Sequence, residues 1–342
     1  MFDKKVLHII DKLNIGGAEQ VVVTLVNILN ERGIDVALLS LLDRGDLCDE
    51  INKDVPQFFL NRTNKYSLRS LRKLYHLVNE FDIVHVHSRQ NLRYVVLCKV
   101  IYFGSFPKIV FHDHTPYVED RYIFKIIGSQ IDAFVGVSNM NTNWAIKNIN
   151  ITNAYTLPNI IRKLKVKDVI PDKDIVVVGN VSSQKNYEFL IKLSSKLKDK
   201  IDVYYGGISG KEYFDSILSM KTDNVNFIYG EKNIQQRIKQ YEMALHCAHA
   251  ESGPLVLIEY LAQGIPFITY NTGEVVEQIK EDLPEFIVNS FDTEEWIIAI
   301  ERMKKLIEED IEGLKERMTI VFEKNYSEDK YFEKCIKIYN SL

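Results

Sequence analysis

The sequence predicts an α/β protein made of two doubly wound parallel-sheet domains. Three observations predict it. Short continuous apolar runs of strand length alternate with helical patterns, as expected of strands buried on both faces beneath crossover helices. The alternation pauses once, at a charged, proline-containing segment over 160–174, and then restarts. Glycines and histidines fall at the carboxyl ends of first-half strands, the edge at which such sheets bind ligands.

Size and composition agree. The 342 residues suffice for two domains of ordinary size, and 46% hydrophobic with 26% charged residues describes a globular protein able to bury sizeable cores. The net charge of −4 argues against a nucleic-acid binder. That charge is unevenly spread. Residues 1–165 carry 21 Lys+Arg against 16 Asp+Glu, and 166–342 carry 22 against 31. A basic first half points to an anionic ligand there. Cys48, Cys98, Cys247 and Cys335 show neither pairing nor metal-ligand spacing, so a reducing compartment is expected. The N-terminus enters a strand pattern without a signal-peptide layout, and no apolar run approaches the ~20 residues of a membrane span. A cytoplasmic protein is therefore expected, with the basic stretch described next offering a contact at the inner face of a membrane.

Taken in order, 6–11 is an apolar strand, and Gly16 and Gly17 make the turn into an apolar-periodic helix that stops at Gly33. Strand, glycine turn and helix let backbone approach a ligand closely, although the GxGxxG of dinucleotide binders is absent. A second strand covers 35–42. The stretch 67–81 has Leu68, Leu71, Leu74 and Leu77 at helical spacing, with Arg62, Lys65, Arg69, Arg72 and Lys73 around them. Such a helix can lie on an anionic membrane, or present one face to a core and the other to solvent. Strands at 82–88 and 108–114 both end in histidines, and further strands are expected at 132–138 and 153–159.

The segment 160–174 reads as the linker. Beyond it, strands are expected at 174–180, 201–207, 225–230, 244–250 and 265–270, with helices between them and a helical tail. The expected domains are 1–165 and 166–325, with a C-terminal helix, 326–342, packing back on the first.

The stretch 249–273 carries the chemistry. Pro254 suits the first turn of a helix, where its missing N–H costs nothing. Glu251 then lies on the loop before the helix, and Glu259 about a turn and a half inside it. The amides of Gly253, Leu255 and Val256 lack intrahelical partners at that end. With the helix dipole they form a seat for a phosphate, and the two carboxylates can reach hydroxyls on either side of it. A phosphate with a sugar on each side is a nucleotide-sugar. The same residues also read as a plain buried helix, glycine stop and core strand, and the stretch alone leaves both open.

With these pieces placed, the chain resembles the retaining family 4 glycosyltransferases along nearly its whole length. The most specific part is Glu251 to Glu259 with Gly264 and Pro266 downstream, which looks like the family's two-glutamate motif. Gly16 to Glu19, Val137-Ser138, Lys185-Asn186 and Thr272-Gly273 support it. The resemblance implies a GT-B fold, two Rossmann-like domains facing each other across a cleft. It implies that Lys185 and the amides of Gly253, Leu255 and Val256 hold the donor diphosphate, and that Glu251 holds sugar hydroxyls and Glu259 the ribose. It also implies that Gly16 and Gly17 let the first domain close on the diphosphate and that His114, rather than His112, is the active-site histidine. Asn180 follows the strand glycine where similar enzymes have an arginine, leaving the diphosphate clamp one cation short. Asn159-Ile160 replaces the usual Asn-Gly, and Ala248 a common serine.

The expected activity is transfer of a hexose-type sugar from a UDP- or GDP-sugar to a glycan or lipid-linked acceptor with retention, in capsule or lipopolysaccharide assembly. No metal or other cofactor is expected, because protein cations and helix dipoles would stabilise the leaving diphosphate. His85, His87, His112 and His114 alternate along strands and so share faces, but no cysteine or carboxylate joins them at ligand spacing. Peripheral contact with an anionic membrane is expected through 62–81, and no nucleic acid. Two other classes stay open: a nicotinamide oxidoreductase, disfavoured by the missing GxGxxG, and a weak or inactive nucleotide-sugar binder, kept alive by Asn180.

Overall fold

The computed structural model describes residues 2–64, 67–115, 121–149 and 151–342, with backbone alone for 121–123. The chain divides into two compact units, Met1–Ile160 with Glu328–Leu342, and Ile161–Ser327. Composition placed the first boundary at 165/166. It falls earlier because 161–165 is tied to the second unit. Ile161 enters that unit's core, Gln235 bonds the chain at Arg162 and Leu164, and Gln263 bonds the Leu164 carbonyl.

The first unit is a parallel sheet of β1 (Val6–Ile10), β2 (Val36–Ser40), β3 (Gln57–Phe59), β4 (Ile83–His87), β5 (Lys108–Asp113), β6 (Ala133–Gly136) and β7 (Ala154–Thr156). Their order is β3-β2-β1-β4-β5-β6-β7. The crossovers carry α1 (Gly17–Glu31), α2 (Leu68–Val78), α3 (Arg89–Ile101), α4 (Arg121–Gly128) and α5 (Asn139–Ile149). Alternation along β1 shows why both faces are covered. Val6 and Ile10 join one core with residues of α1, while Leu7 and Ile9 join another with residues of α2 and α3. β3 escaped the sequence reading because three half-buried residues carry too little pattern.

The basic helix α2 buries Leu71, Leu74 and Val78 in the core and leaves Leu68, Arg69, Arg72 and Lys73 exposed. Ser67 caps it by accepting from the Ser70 amide. Arg62 stacks 4.3 Å over the Tyr94 ring; Lys65 lies outside the described residues. Among the described residues no helix is long and apolar enough to cross a membrane.

The second unit repeats the plan with β8 (Lys173–Val178), α6 (Tyr187–Ser194), β9 (Ile201–Tyr205), α7 (Lys211–Met220), β10 (Val225–Tyr229), α8 (Ile234–Ile238), β11 (Tyr241–His246), α9 (Leu255–Gln263), β12 (Phe267–Tyr270), α10 (Glu274–Ile279), β13 (Ile287–Val288) and α11 (Thr293–Tyr326). The sheet order is β10-β9-β8-β11-β12-β13, again parallel. The strand expected over 244–250 instead runs Tyr241–His246, with Met243 to Leu245 paired to Ile175 to Val177 of β8. Residues 247–254 are thereby released as the loop that carries Glu251. Within the expected helical tail, α11 runs on to Tyr326, with one non-helical residue at Asp310. Leu314, Met318, Val321 and Phe322 keep helical spacing and stay buried, which carries the helix on.

After Ser327 the chain returns to the first unit as α12 (Glu328–Asn340), whose Tyr331, Cys335, Ile338 and Tyr339 are buried in the core beneath α1. Both sheets change winding direction at one place, β1/β4 in the first unit and β8/β11 in the second. Ligands bind such sheets at these switch points, outside the strand carboxyl ends.

Candidate active site

The second unit builds its switch point from two loops and one helix start. β8 ends at Val178, and Gly179 leads into a loop whose last turn, Ser183–Lys185, presents Lys185. A Cβ on Gly179 would lie 3.1 Å from Lys185 Cε, so glycine there lets the lysine stem lie flat across the strand end. Asn186 follows in the left-handed region, φ 56, which asparagine tolerates better than most residues. That turn ends the loop and starts α6, which is the physical content of the Lys-Asn pair. His249 N–H donates to the Gln184 carbonyl and joins this loop to the one after β11.

Across the junction, Glu251 Oε1 sits 2.5 Å from Lys185 Nζ and 3.6 Å from His246 Nε2. Burial alone would raise the Glu251 carboxyl, but Lys185 and then His246 outweigh it and hold the group down at about 2. The carboxylate is therefore charged throughout the physiological range. Gly273, with φ +85, passes so close to Glu251 Cβ and Pro254 Cδ that a side chain would meet both at 3.1 Å. Thr272-Gly273 thus packs the second loop in place.

α9 starts at Leu255, with Pro254 as its cap rather than its first residue. Leu255 and Val256 hold the first two positions, whose amides have no intrahelical acceptor. Gly253 immediately precedes them. Glu259 lies in the second turn, partly buried, and burial pushes its carboxyl up to about 8. An unfolded glutamate titrates near 4.3. Native stability therefore falls as pH rises from there through about 8, because the unfolded chain ionises first. Glu259→Gln should accordingly stabilise the free protein, by a margin that widens between pH 5 and pH 8 in thermal unfolding. A margin independent of pH would show that this carboxyl is not held neutral.

Asn180 is exposed, and its Oδ1 accepts from the Gly206 amide at 3.2 Å. It bridges the loops after β8 and β9, which is a structural task an arginine would not perform. His246 was missed by the sequence reading, which took it as one strand residue among seven. It is buried, with Nδ1 3.1 Å from Thr269 Oγ1 and its other nitrogen toward Glu251.

In the first unit, Gly16 caps α1 in extended conformation and Gly17 opens it. The Glu19 carboxylate curls back so closely that a Cβ on Gly16 would clash with it. Burial, aided by Asp11, pushes that carboxyl up to about 7. Ser138 is a helix cap: it donates to Asn141 Oδ1 and accepts from the Asn141 amide. Ile160, where glycine is usual in similar chains, is buried in the core. His114 follows β5, and its Nε2 lies 3.1 Å from His87 Nδ1. Burial lowers the His114 ring to about 4, so it is neutral at physiological pH. His112 is fully buried and neither of its ring nitrogens has a partner, which leaves His114 as the histidine nearer solvent. Beside them Asp113 accepts from Arg89 at 2.8 Å and from Thr115 at 2.6 Å. This nearly buried ion pair was not legible because its partners are 24 residues apart. Spacing gave no metal site, yet folding gathers His8, His85 and His87, and likewise His87, His112 and His114, with ligand atoms within 4.8 Å of one another.

A charged pair thus stands beside a helix start at the second unit's switch point. Residues 15–162 match the model for Glycosyltransferase Family 4, and residues 161–328 that for Glycosyl transferases group 1. The chain belongs to the family 4, group 1 glycosyltransferases. This glycosyltransferase is 22% identical to an uncharacterized glycosyltransferase of Haemophilus influenzae, over 78% of this chain and 80% of that one. It is 25% identical to an uncharacterized 41.2 kDa protein in the cps region of Klebsiella pneumoniae, over 62% and 66%. Among solved structures, Anabaena HepE in complex with UDP and glucose superposes with a TM-score of 0.82 over 99% of this chain and 100% of that chain, at 14% identity. The transferase therefore has the GT-B fold, its two Rossmann-like units each closed on their own core. Family membership removes the nicotinamide oxidoreductase alternative.

Proposed function

We propose that the protein transfers a hexose-type sugar from a UDP- or GDP-sugar to a glycan or lipid-linked acceptor, with retention at the sugar carbon. The observation that carries this is the Lys185–Glu251 pair, 2.5 Å apart, at the β8/β11 switch point beside the start of α9. When the bond between the sugar carbon and the diphosphate breaks, negative charge grows on the diphosphate and positive charge on the ring. Lys185 and the amides of Gly253, Leu255 and Val256 would take the first. Glu251 would orient the sugar hydroxyls, and Glu259 would accept from the ribose. The acceptor oxygen attacks on the face the diphosphate leaves, and its proton passes to a phosphate oxygen. No metal is required, because Lys185 and the helix start supply the positive potential. Gly16, Gly17 and His114 complete the proposed set from the first unit.

UDP is the first choice of donor base, since HepE was solved with UDP and glucose. A polysaccharide pathway, capsule or lipopolysaccharide, takes support from the relative in a cps region. Peripheral contact with an anionic membrane belongs to the same proposal, carried by exposed Arg69, Arg72 and Lys73. It is lost if the protein ignores anionic vesicles at low salt.

A thermal-shift screen over UDP-, GDP- and ADP-sugars, followed by transfer assays with the stabilising donor, tests the proposal. One donor should raise the melting temperature and be turned over. A second possibility, a weak or inactive relative, rests on Asn180, a neutral residue already engaged by Gly206. Donor binding without transfer or hydrolysis above background would favour it.

A further inference from the structure

Sequence spacing gives no metal site, and the transfer proposed above needs no metal. Folding nonetheless brings three histidines together at the carboxyl edge of the first unit's sheet. His112, within β5, and His114, just past its end, are alternate residues and so share one face. His87 ends β4 and stands directly opposite His112 in the register. Each of the three can offer a ring nitrogen within 4.8 Å of those of the other two. His87 Nδ1 and His114 Nε2 are 3.1 Å apart. Two nitrogens bound at about 2 Å to one tetrahedral ion stand about 3.3 Å apart, so this pair is already near ligand separation. The three ring planes are inclined to one another by 27° to 40°, and a turn of His112 about its side-chain bonds brings the third nitrogen in.

Two observations favour an ion over a plain hydrogen-bonded cluster. His112 is fully buried, yet neither of its ring nitrogens has a partner. A buried polar atom without a partner is costly, and an ion is a partner for the imidazole lone pair. His87 is braced as ligating histidines are. Its far nitrogen, Nε2, lies 3.0 Å from His8 Nδ1, the kind of outer hydrogen bond that fixes a ligand's tautomer and orientation. The site also has an entrance, since His114 is only half-buried. The other histidine group, His8, His85 and His87, is buried throughout, and both His8 nitrogens are engaged.

The donor set fixes the class of ion. Imidazole nitrogens suit zinc, cobalt, nickel or copper, whereas magnesium, calcium and manganese favour oxygen. Asp113, the carboxylate between the two β5 histidines, turns to Arg89 and Thr115 instead. Three protein ligands leave a fourth position for water.

We propose that His87, His112 and His114 form a three-nitrogen site for a divalent cation of the zinc type, and that the bound ion stops sugar transfer by occupying the His114 ring. The ion is an inhibitor, not a cofactor. The inhibition rests on the function proposed above; the site does not.

Titration of tag-free, chelator-treated protein with Co²⁺, without donor, reads the site directly through the visible ligand-field bands of the ion. Wild type should bind one equivalent in tetrahedral form and melt at a higher temperature with it. His112→Leu puts an apolar side chain where no hydrogen bond is lost. It should bind the ion at least ~10²-fold more weakly, beyond the roughly 10- to 100-fold typical of losing an outer partner. His114→Gln, nearer solvent, should do the same, and it decides the matter if the first variant does not fold. His76→Ala removes an exposed histidine elsewhere and should bind as wild type does. In transfer assays Zn²⁺ should inhibit wild type, reversibly on adding a chelator, and leave His112→Leu at its own metal-free rate. No uptake by wild type, or binding unchanged in the folded histidine variants of the site, overturns the proposal. Binding without inhibition upholds the site, overturns the inhibition and removes His114 from the catalytic set.

Discussion

Lys185→Ala should lower sugar transfer at least ~10²-fold at saturating donor, the scale on which enzymes lose a preorganised charge stabiliser. The expectation follows from how the lysine is held. Its stem lies against Gly179, its ammonium lies 2.5 Å from Glu251, and the loop that carries it is tied to the Glu251 loop through Gln184 and His249. A group so placed does little reorganising when a diphosphate arrives, so its charge is available as the leaving group departs. Asn180, at the position where similar enzymes add a second cation, supplies no charge. The loss should therefore be large. Removing one partner of a half-buried ion pair also destabilises the fold, so Lys185→Met, which keeps a stem over Gly179, is the control. Both variants should melt as folded proteins, and both should be slow. Near-normal turnover in either would show that Lys185 is not the diphosphate's cation.

Glu251→Gln should reduce turnover by about 10²-fold, the cost of a misplaced reacting group, while a nucleoside diphosphate still binds. The substitution keeps shape and removes charge. Lys185 loses its carboxylate partner and is left to the phosphate, so UDP affinity should hold or rise as transfer falls. Equal loss of both would mean misfolding instead. The pH dependence is specific as well. Burial opposes ionisation of Glu251, but Lys185 and His246 hold the carboxyl at about 2. Its contribution to stability is thus complete above the unfolded value near 4.3 and is lost only as pH falls toward 2. Any acid limb in the rate above pH 5 must come from another group.

The sheet architecture was legible because β1, β2 and β8 are dominated by short apolar runs of strand length, as strands buried on both faces require. The two-glutamate stretch was legible because proline and glycine punctuate it at helix-start spacing. Boundaries were less so. β11 begins at Tyr241 because register with β8, a long-range property, sets it, and α11 runs to Tyr326 because tertiary burial overrides the break at Asp310. Side-chain partnerships across the sheets were not legible at all. His246 beside Glu251, Arg89 on Asp113 and Tyr339 on His8 each join elements whose adjacency exists only after folding. Asn180 shows the same limit: its bond to the Gly206 amide joins two loops that become neighbours only after folding.

The central claim, that Lys185 and the start of α9 together grip a pyrophosphate, is tested most directly by calorimetric titration of wild type and Lys185→Met with UDP, GDP and uridine. One nucleoside diphosphate should bind wild type at least ~10-fold more tightly than uridine, as charge-assisted hydrogen bonds to phosphate require, and most of that difference should vanish in Lys185→Met. Equal affinity for nucleoside and diphosphate in wild type, or a difference that survives loss of the lysine, would contradict it.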